Sequence, residues 1–254
     1  MKILYLANNW LGWQILKWLK EQGEEIVGLV IHPLHKQKYV DEMLEVADLP
    51  PDRIFYGFQL GDSEAVEAIQ KLMPDIGISI LFDYILKSEF LNMFPRGVIN
   101  LHPALLPYNR GQYPNVWSIV EGTPAGVTLH YIDEGIDTGD IIAQQEVPVE
   151  PIDTGETLYR KLEHASLRLF QKTWPLIKAG QAPRIPQNKE VGTYHRTRDV
   201  ESIDKIQLDQ EYKARDLINI LRARTFPPYK GAYFEVDGKR VYMYLRLEYG
   251  EEDD

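Results

Sequence analysis

The first hundred residues alternate between short apolar runs and amphipathic segments, and this alternation limits the possible folds more than any other feature. The apolar runs at 26–31 and 75–81 are nearly continuous, with few polar residues interspersed. Such strands are buried on both faces, and strands that alternate with helices form parallel sheets. We therefore predict an α/β fold whose first half is a doubly wound, mostly parallel sheet of Rossmann-like type.

The expected elements divide the chain into three consecutive parts. Strands are predicted at 2–7, 26–31, 53–56, 75–81, 97–101 and 141–149, and helices at 11–23, 38–47, 63–72 and 154–180. These form a main domain at 1–180, followed by a linker at 181–208 that is rich in breakers. A small C-terminal unit at 209–254 then holds a helix at 209–223 and a β-hairpin at 231–247, closed by Asp237-Gly238.

Charge and composition exclude several classes of protein. The 254 residues carry a net charge of −10 and contain no cysteine. An acidic chain repels phosphates, so we expect no nucleic-acid partner, and the missing thiols exclude disulfides and thiolate metal sites. No apolar run is long enough for a signal peptide or a membrane span. We therefore expect a cytoplasmic protein without a membrane partner.

The first strand-to-helix turn lacks a phosphate-binding loop. Residues 7–12 read Ala-Asn-Asn-Trp-Leu-Gly, so Gly12 stands alone and the glycine spacing of a dinucleotide site is absent. A nicotinamide or ATP enzyme is therefore not expected. Asn9 nevertheless lies at the carboxyl end of a predicted strand, where ligands of open α/β sheets bind. It is a candidate binding residue or an ordinary turn former.

Two polar side chains end the predicted strand at 97–101. Asn100 and His102 are two residues apart, so they project from the same face of a strand. A second polar turn at 133–140 adds three carboxylates, those of Asp133, Asp137 and Asp140. An amide, an imidazole and a carboxylate together can move a proton and stabilise an oxyanion, although each could also be an ordinary loop residue.

Several motifs around these residues resemble a known family. Residues 100–107 (NLHPALLP), 126–130 (GVTLH) and 136–140 (IDTGD) are similar to formyltransferases that use 10-formyltetrahydrofolate, such as glycinamide ribonucleotide and methionyl-tRNA formyltransferases. Residues 107–117 and 222–229 look most like sugar N-formyltransferases, which act on nucleotide-linked amino sugars. One departure is Ala104, where the family usually has serine, and we expect it to alter only local packing or one hydrogen bond.

The resemblance implies a role for each polar residue. His102 would take the proton of the attacking amine, Asn100 would donate to the oxyanion, and Asp137 would orient His102. The Asp-x-Gly context selects Asp137 over its two neighbouring carboxylates. No metal is expected. His130, His164 and His195 are expected to be structural, because a lone histidine seldom acts in catalysis.

The resemblance also implies two binding sites. The cosubstrate 10-formyltetrahydrofolate would place its pterin between the loop at 81–86 and the turn at 133–137, near Phe82, Tyr84, Ile85, Leu86, Asp133 and Ile136. Phe82, Ile85 and Leu86 could equally be core residues. A diphosphate binds arginine and a base stacks on aromatic rings. The expected nucleotide-sugar residues are Asn9, Tyr108, Arg110, Arg222, Phe226 and Tyr229.

The expected function is thus transfer of a formyl group to the amine of a nucleotide-linked amino-dideoxy sugar, for example dTDP-4-amino-4,6-dideoxyglucose or a dTDP-3-amino-3,6-dideoxy sugar. Such a reaction would serve lipopolysaccharide, O-antigen or other surface-polysaccharide synthesis. The alternatives are another small amine, such as glycinamide ribonucleotide, or a non-catalytic module that binds folate or nucleotide sugar. The aromatic C-terminal hairpin is expected to support a homodimer, because exposed aromatic strands need a partner.

Overall fold

The computed structural model of the protein describes residues 1–188 and 190–250. Its strands are Lys2–Ala7 (β1), Glu25–Ile31 (β2), Ile54–Tyr56 (β3), Ile76–Ile80 (β4), Val98–His102 (β5), Arg110–Gly111 (β6), Gly126–Tyr131 (β7), Ile141–Glu146 (β8), Tyr194–His195 (β9), Tyr233–Val236 (β10) and Lys239–Tyr242 (β11). The α-helices are Asn9–Glu21 (α1), Val40–Ala47 (α2), Ser63–Lys71 (α3), Ser88–Leu91 (α4), Pro114–Glu121 (α5), Gly155–Lys178 (α6), Glu201–Asp204 (α7) and Ala214–Ala223 (α8). Short 3-10 helices lie at Leu34–Lys36, Pro51–Arg53, Gly57–Gly61 and Thr197–Val200.

The central sheet has seven strands in the order β3-β2-β1-β4-β5-β7-β8. The pairs from β3 to β5 are parallel, whereas β5 and β7 pair antiparallel. Strand β4 is buried along its whole length, as its continuous apolar sequence predicts. The predicted doubly wound, mostly parallel α/β sheet is therefore confirmed.

Helix α6 matches the long helix predicted at 154–180. Near its end Trp174 is buried, and its indole Nε1 donates to the buried Glu24 Oε1 at 2.9 Å. Lys178 Nζ lies 2.8 Å from the same carboxylate oxygen, so the charge of Glu24 is neutralised where it enters the core. Across the described residues, no helix is long and apolar enough to cross a lipid bilayer.

The chain forms two compact units that each combine several stretches of sequence. Unit 1 comprises 1–102, 128–144 and 166–187, and unit 2 comprises 103–127, 145–165 and 188–254. The sequence predicts consecutive blocks instead, with boundaries at 180 and 208. Residues 181–208, predicted as a linker, contain β9, a 3-10 helix and α7. Lys189 of that segment and residues 251–254 of the predicted C-terminal unit lie outside the described residues.

Unit 2 contains the predicted β-hairpin. Strands β10 and β11 pair antiparallel, and Asp237 and Gly238 between them have φ values of 50° and 72°. Two positive φ values in a two-residue loop match the right-handed twist of the flanking strands. The turn prediction is confirmed, although β11 ends at Tyr242 rather than near residue 247. The predicted helix at 209–223 begins later, at Ala214.

Candidate active site

Three polar side chains of unit 1 meet at the end of β5. His102 Nδ1 lies 3.6 Å from Asp137 Oδ2, and Asn100 Nδ2 lies 3.4 Å from Asp137 Oδ1. His102 is 6% exposed, so its interaction with the carboxylate is only weakly screened by water. The three residues predicted from the sequence are therefore brought together around one carboxylate. The 3.6 Å separation exceeds a hydrogen bond, as is common for catalytic pairs before a substrate binds.

The turn that carries Asp137, residues 133–139, is tightly constrained, and we call it the Asp137 turn. Asp137 itself adopts the left-handed conformation, with φ of 53°, which is unfavourable for a residue with a side chain. Asp133 Oδ1 accepts from Gly135 N at 3.0 Å and from Thr138 Oγ1 at 2.6 Å. A Cβ at Gly139 would clash with the carbonyl group of Tyr131, so only glycine fits there.

His130, expected to be structural, belongs to this cluster. It is the cross-strand partner of Asn100 in the antiparallel pair of β5 and β7. Its Nδ1 lies 2.8 Å from the carbonyl oxygen of Tyr131, which only accepts, so Nδ1 carries the proton. Nε2 then accepts from Asn100 Nδ2 at 3.1 Å. Its position in the GVTLH motif, one strand from Asn100, is the sequence signal for this role.

The two acceptors around Asn100 fix the orientation of its amide. His130 Nε2 and Asp137 Oδ1 both lie on the Nδ2 side of the amide, at 3.1 and 3.4 Å. A carbonyl oxygen in that position would face two acceptors, so the nitrogen must be there. Asn100 therefore presents N–H groups next to His102, which is the arrangement that stabilises a developing oxyanion.

The loop after β4, residues 81–86, is the predicted pterin loop, and we call it the β4 loop. Ser88 Oγ, just beyond this loop, donates to Glu134 of the Asp137 turn. The two segments predicted to bind folate therefore touch. Ile85 and Ile136 are 78% and 42% exposed. Leu86 is buried in the apolar cluster of β1, β2 and α3, so its side chain belongs to the core.

Phe82 and Tyr84 of the β4 loop pack on His32, which follows β2. The Phe82 and His32 rings stack with centroids 5.2 Å apart, and the Tyr84 ring is 5.6 Å from His32. Asp83 N donates to His32 Nε2 at 3.1 Å, so the neutral imidazole holds the loop backbone. A Cβ at Gly57 would clash with the rings of Tyr84 and Phe82. His32 was not among the site residues predicted from the sequence.

The protonation state of His32 is expected to control the stability of this loop. Burial lowers the pKa of His32, with Asp83 opposing and Lys36 adding to the effect. The unfolded chain, with a histidine pKa of about 6.5, binds this proton more readily than the folded chain. The contribution of neutral His32 to the free energy of unfolding is thus complete above pH ~6.5 and is lost as the pH falls through its folded pKa.

A His32→Phe variant tests this pH dependence. The phenyl ring keeps the stacking but neither titrates nor accepts from Asp83 N. Urea unfolding is measured between neutral and mildly acidic pH. The difference in free energy of unfolding between the wild type and the variant is expected to be constant at neutral pH and to shrink on acidification. His35→Phe, at an exposed position, is the control. A wild-type advantage that stays unchanged over this range would contradict the expectation.

The predicted nucleotide-sugar residues are distributed over both units. Asn9 lies in unit 1 with φ of 67°, and its Oδ1 accepts from Trp10 N at 2.9 Å, as in a turn. Tyr108 and Arg110 lie in unit 2, where Arg110 N donates to Thr193 O at 3.0 Å. The buried Nε of Arg110 has no hydrogen-bond partner among the residues that the structure describes. Such an atom is costly unless something binds it.

The other three predicted residues belong to the end of α8 and the segment after it. Arg222 Nη1 donates to the carbonyl oxygens of Glu150 at 3.0 Å and Asp153 at 3.0 Å, and Arg222 is 9% exposed. Its guanidinium therefore holds a turn of unit 2. The Phe226 and Tyr229 rings pack edge to face at 5.3 Å, and Tyr229 is 52% exposed.

Comparison with known proteins identifies the family. Residues 43–173 match the family model for formyl transferase. This match covers more than half of the chain. The chain belongs to the formyl transferase family. The resemblance noted from the sequence is thereby confirmed. Residues 199–249 match a second model, described as the N-formyltransferase dimerization C-terminal domain.

Individual relatives within the family differ in what they act on. A methionyl-tRNA formyltransferase of Syntrophus aciditrophicus is 35% identical over 72% of this chain and 57% of its own length. The chain thus spans little more than half of that curated relative. A 4-N formyltransferase of Francisella tularensis has a similar structure, with a TM-score of 0.80 and 30% identity over 98% of each chain. PseJ of Anoxybacillus kamchatkensis, solved with UDP-4,6-dideoxy-4-formamido-L-AltNAc and tetrahydrofolate, gives a TM-score of 0.59 and 33% identity over 80% of this chain and 89% of PseJ.

The acidic and histidine side chains of the protein are also possible metal ligands. Among the described residues, no group of three or more histidine, cysteine, aspartate or glutamate side chains could hold a metal ion. The acidic residues of the Asp137 turn are instead engaged with donors of the turn and with His102.

Proposed function

We propose that this protein transfers a formyl group from 10-formyltetrahydrofolate to the amino group of a nucleotide-linked amino-dideoxy sugar. The observation that carries the proposal is the convergence of Asn100, His102 and Asp137 at the end of β5. An imidazole, an amide donor and a carboxylate thus lie within a few ångströms of each other. These are the groups that acyl transfer to an amine requires.

His102 moves the proton in this reaction. The carboxylate of Asp137 on the Nδ1 side favours a proton on Nδ1, which leaves Nε2 as the basic nitrogen. Nε2 accepts the proton that the amine loses as its nitrogen bonds to the formyl carbon. The same proton then passes from Nε2 to the leaving nitrogen as the old carbon–nitrogen bond breaks. His102 is therefore regenerated neutral, and no net proton is consumed.

Asn100 stabilises the charge that forms on the formyl oxygen. One of its N–H groups is held by His130 Nε2 at 3.1 Å, which keeps the amide plane in place. The same amide nitrogen also lies 3.4 Å from Asp137 Oδ1, which is a long contact. Exchanging that long contact for a hydrogen bond to an oxyanion costs little. Such a donor is worth about 3 kcal/mol in the transition state.

The β4 loop and the Asp137 turn provide the folate site in this proposal. Bound 10-formyltetrahydrofolate would supply the formyl group on a nitrogen that can leave. The exposed side chains of Ile85 and Ile136 suit the faces of a flat pterin, because burying them removes apolar surface from water. The backbone of the β4 loop, held by His32 at Asp83 N, would supply hydrogen bonds to the pterin edge. Phe82 and Tyr84 pack on His32 and thereby help to fix that loop.

A nucleotide-linked sugar is favoured as the acceptor over tRNA. PseJ, whose structure contains a UDP-linked 4-formamido sugar and tetrahydrofolate, is 33% identical to this protein over 80% of this chain and 89% of PseJ. The net charge of −10 also opposes binding of RNA phosphates. In unit 2, Arg110 has a buried Nε without a partner among the described residues, which suits a diphosphate. The reaction would take place in the cytoplasm and serve surface-polysaccharide synthesis.

An acceptor panel tests the proposed function. The protein is incubated with 10-formyltetrahydrofolate and one amine at a time, and products are identified by mass spectrometry. The panel holds 3-amino and 4-amino sugars linked to dTDP, UDP and GDP, glycinamide ribonucleotide, and methionyl-tRNA. Formylation of a nucleotide-linked sugar is expected. Transfer only to methionyl-tRNA or glycinamide ribonucleotide would overturn the proposed acceptor, and no transfer to any amine would overturn the function.

We further propose that the C-terminal hairpin forms a homodimer. Val236 and Val241 of the hairpin are 45% and 42% exposed, and the segment lies within the match to a dimerization domain. Light scattering at micromolar concentration is expected to give a dimer for the wild type and a monomer for Val241→Lys, because a buried unpaired lysine is costly at an interface. Val191→Lys, also on an exposed valine but outside the hairpin, should stay dimeric. A monomeric wild type would contradict the proposal.

A further inference from the structure

Gln187 makes two hydrogen bonds to the backbone of the Asp137 turn. Its Nε2 donates to the carbonyl oxygen of Asp137 at 2.9 Å and to that of Gly139 at 2.8 Å. We infer that Gln187 is a positioning residue, whose amide holds Asp137 in the conformation that directs its carboxylate at His102. The effect of Gln187 on catalysis rests on the proposed function, whereas its effect on the conformation of the turn does not.

The Asp137 turn needs such a support because its conformation is unfavourable. Asp137 has a φ of 53°, and a residue with a side chain loses about 1 kcal/mol or more in this region. Asp133 fixes the first part of the turn through Gly135 N and Thr138 Oγ1. Those bonds do not involve the carbonyl groups of Asp137 or Gly139. Gln187 supplies donors to both of these carbonyl groups.

The chain delivers Gln187 to this place through a short antiparallel bridge. Ile185 N donates to Ile141 O at 3.0 Å, and Ile141 N donates to Ile185 O at 2.8 Å. Ile141 is the first residue of β8 and is separated from the Asp137 turn by one residue, Asp140. The bridge therefore sets the distance between Gln187 and the turn. The segment at 185–187 thus has a specific structural role, which its breaker-rich sequence does not suggest.

The Gln187 amide contributes to the Asp137 turn through its nitrogen and not through its oxygen. Gln187 Oε1 is buried and has no hydrogen-bond partner within residues 1–188 and 190–250. Burying an unsatisfied acceptor costs about 1–3 kcal/mol, so a methionine would be the better residue if the position served packing alone. The amide nitrogen, in contrast, satisfies two carbonyl groups and thereby restrains the backbone from Asp137 to Gly139.

Gln187→Met removes both donors and keeps the length of the side chain. We expect kcat for formyl transfer to fall about 10- to 100-fold, the loss that a displacement of up to ~1 Å causes. KM for the amine should stay within a few-fold, since the amine does not touch Gln187 in this proposal. Gln181→Met, at an exposed position after α6, is the matched control and should keep wild-type kcat.

A measurement without substrate separates this inference from the proposed function. The ring-nitrogen NMR signals of His102 and His130 report on the nearby Asp137 carboxylate. In Gln187→Met they are expected to shift, while those of His195 in unit 2 stay in place. If the wild type formylates no amine, the function fails, but the NMR comparison still decides the positioning role. Unchanged signals, or an unchanged kcat in an active enzyme, would overturn it. Should Gln187→Met not fold, Gln187→Asn, whose amide is one methylene shorter, provides the same test.

Discussion

His102→Asn is expected to lower kcat for formyl transfer by about 10²–10⁴-fold, the range for loss of a general acid–base catalyst. The asparagine side chain cannot take a proton from the attacking amine, and it cannot return one to the leaving nitrogen. The effect should appear in kcat, because the proton moves only during the reaction. Folate affinity should change by no more than a few-fold, since His102 is proposed to act on the amine rather than on the pterin.

Stopped-flow folate binding and steady-state kinetics separate these two effects. His35→Asn makes the same substitution at an exposed position of unit 1, and it should behave as the wild type in both measurements. Turnover close to the wild-type value in His102→Asn would remove the base from the mechanism. A large loss of folate affinity with little change in kcat would instead assign His102 to binding.

Asn100→Ala is expected to lower kcat by about 10²–10³-fold, because it removes the N–H donor to the developing oxyanion. This corresponds to about 3 kcal/mol of transition-state stabilisation. The substitution also removes the donor to His130 Nε2, which lies 3.1 Å away in the wild type. His130→Phe should therefore have a smaller effect of the same kind, since it releases the amide of Asn100 without deleting it.

A double-mutant cycle distinguishes these two roles. If His130 acts only through the orientation of Asn100, then His130→Phe should cause little further loss in the Asn100→Ala background. Additive losses would show an independent role for His130. Asn92→Ala, at an exposed position after α4, controls for the general effect of removing an asparagine side chain. Wild-type kcat in Asn100→Ala would refute the oxyanion role.

The candidate folate site could be predicted from the sequence only in part. The β4 loop and the Asp137 turn are identifiable because motifs mark them, and they touch through Ser88 and Glu134. The sequence does not reveal that Leu86 enters the core while Ile85 stays exposed. Neighbouring residues in an irregular loop have no fixed periodicity, so their directions depend on what packs against the loop. For Leu86 that partner is the apolar cluster of β1, β2 and α3.

The sequence also could not decide which arginine belongs to the predicted nucleotide-sugar site. Arg110 and Arg222 are equivalent candidates in the sequence, because a diphosphate can bind either. In the structure Arg222 donates to the backbone carbonyl groups of Glu150 and Asp153. The buried Nε of Arg110, in contrast, has no hydrogen-bond partner among the described residues. The role of an arginine depends on which acceptors lie within reach. These acceptors come from distant parts of the chain.

The sequence by itself determined the α/β class and the pair Asn100 and His102. Strand and helix periodicities are local, and two residues on one strand share a face whatever the rest of the chain does. The tertiary structure decided which groups surround that pair. The antiparallel pairing of β5 and β7 places His130 opposite Asn100, and the bridge at Ile185 places Gln187 against the Asp137 turn. Strand order and long-range bridges arise from packing of the whole sheet, which no local pattern encodes.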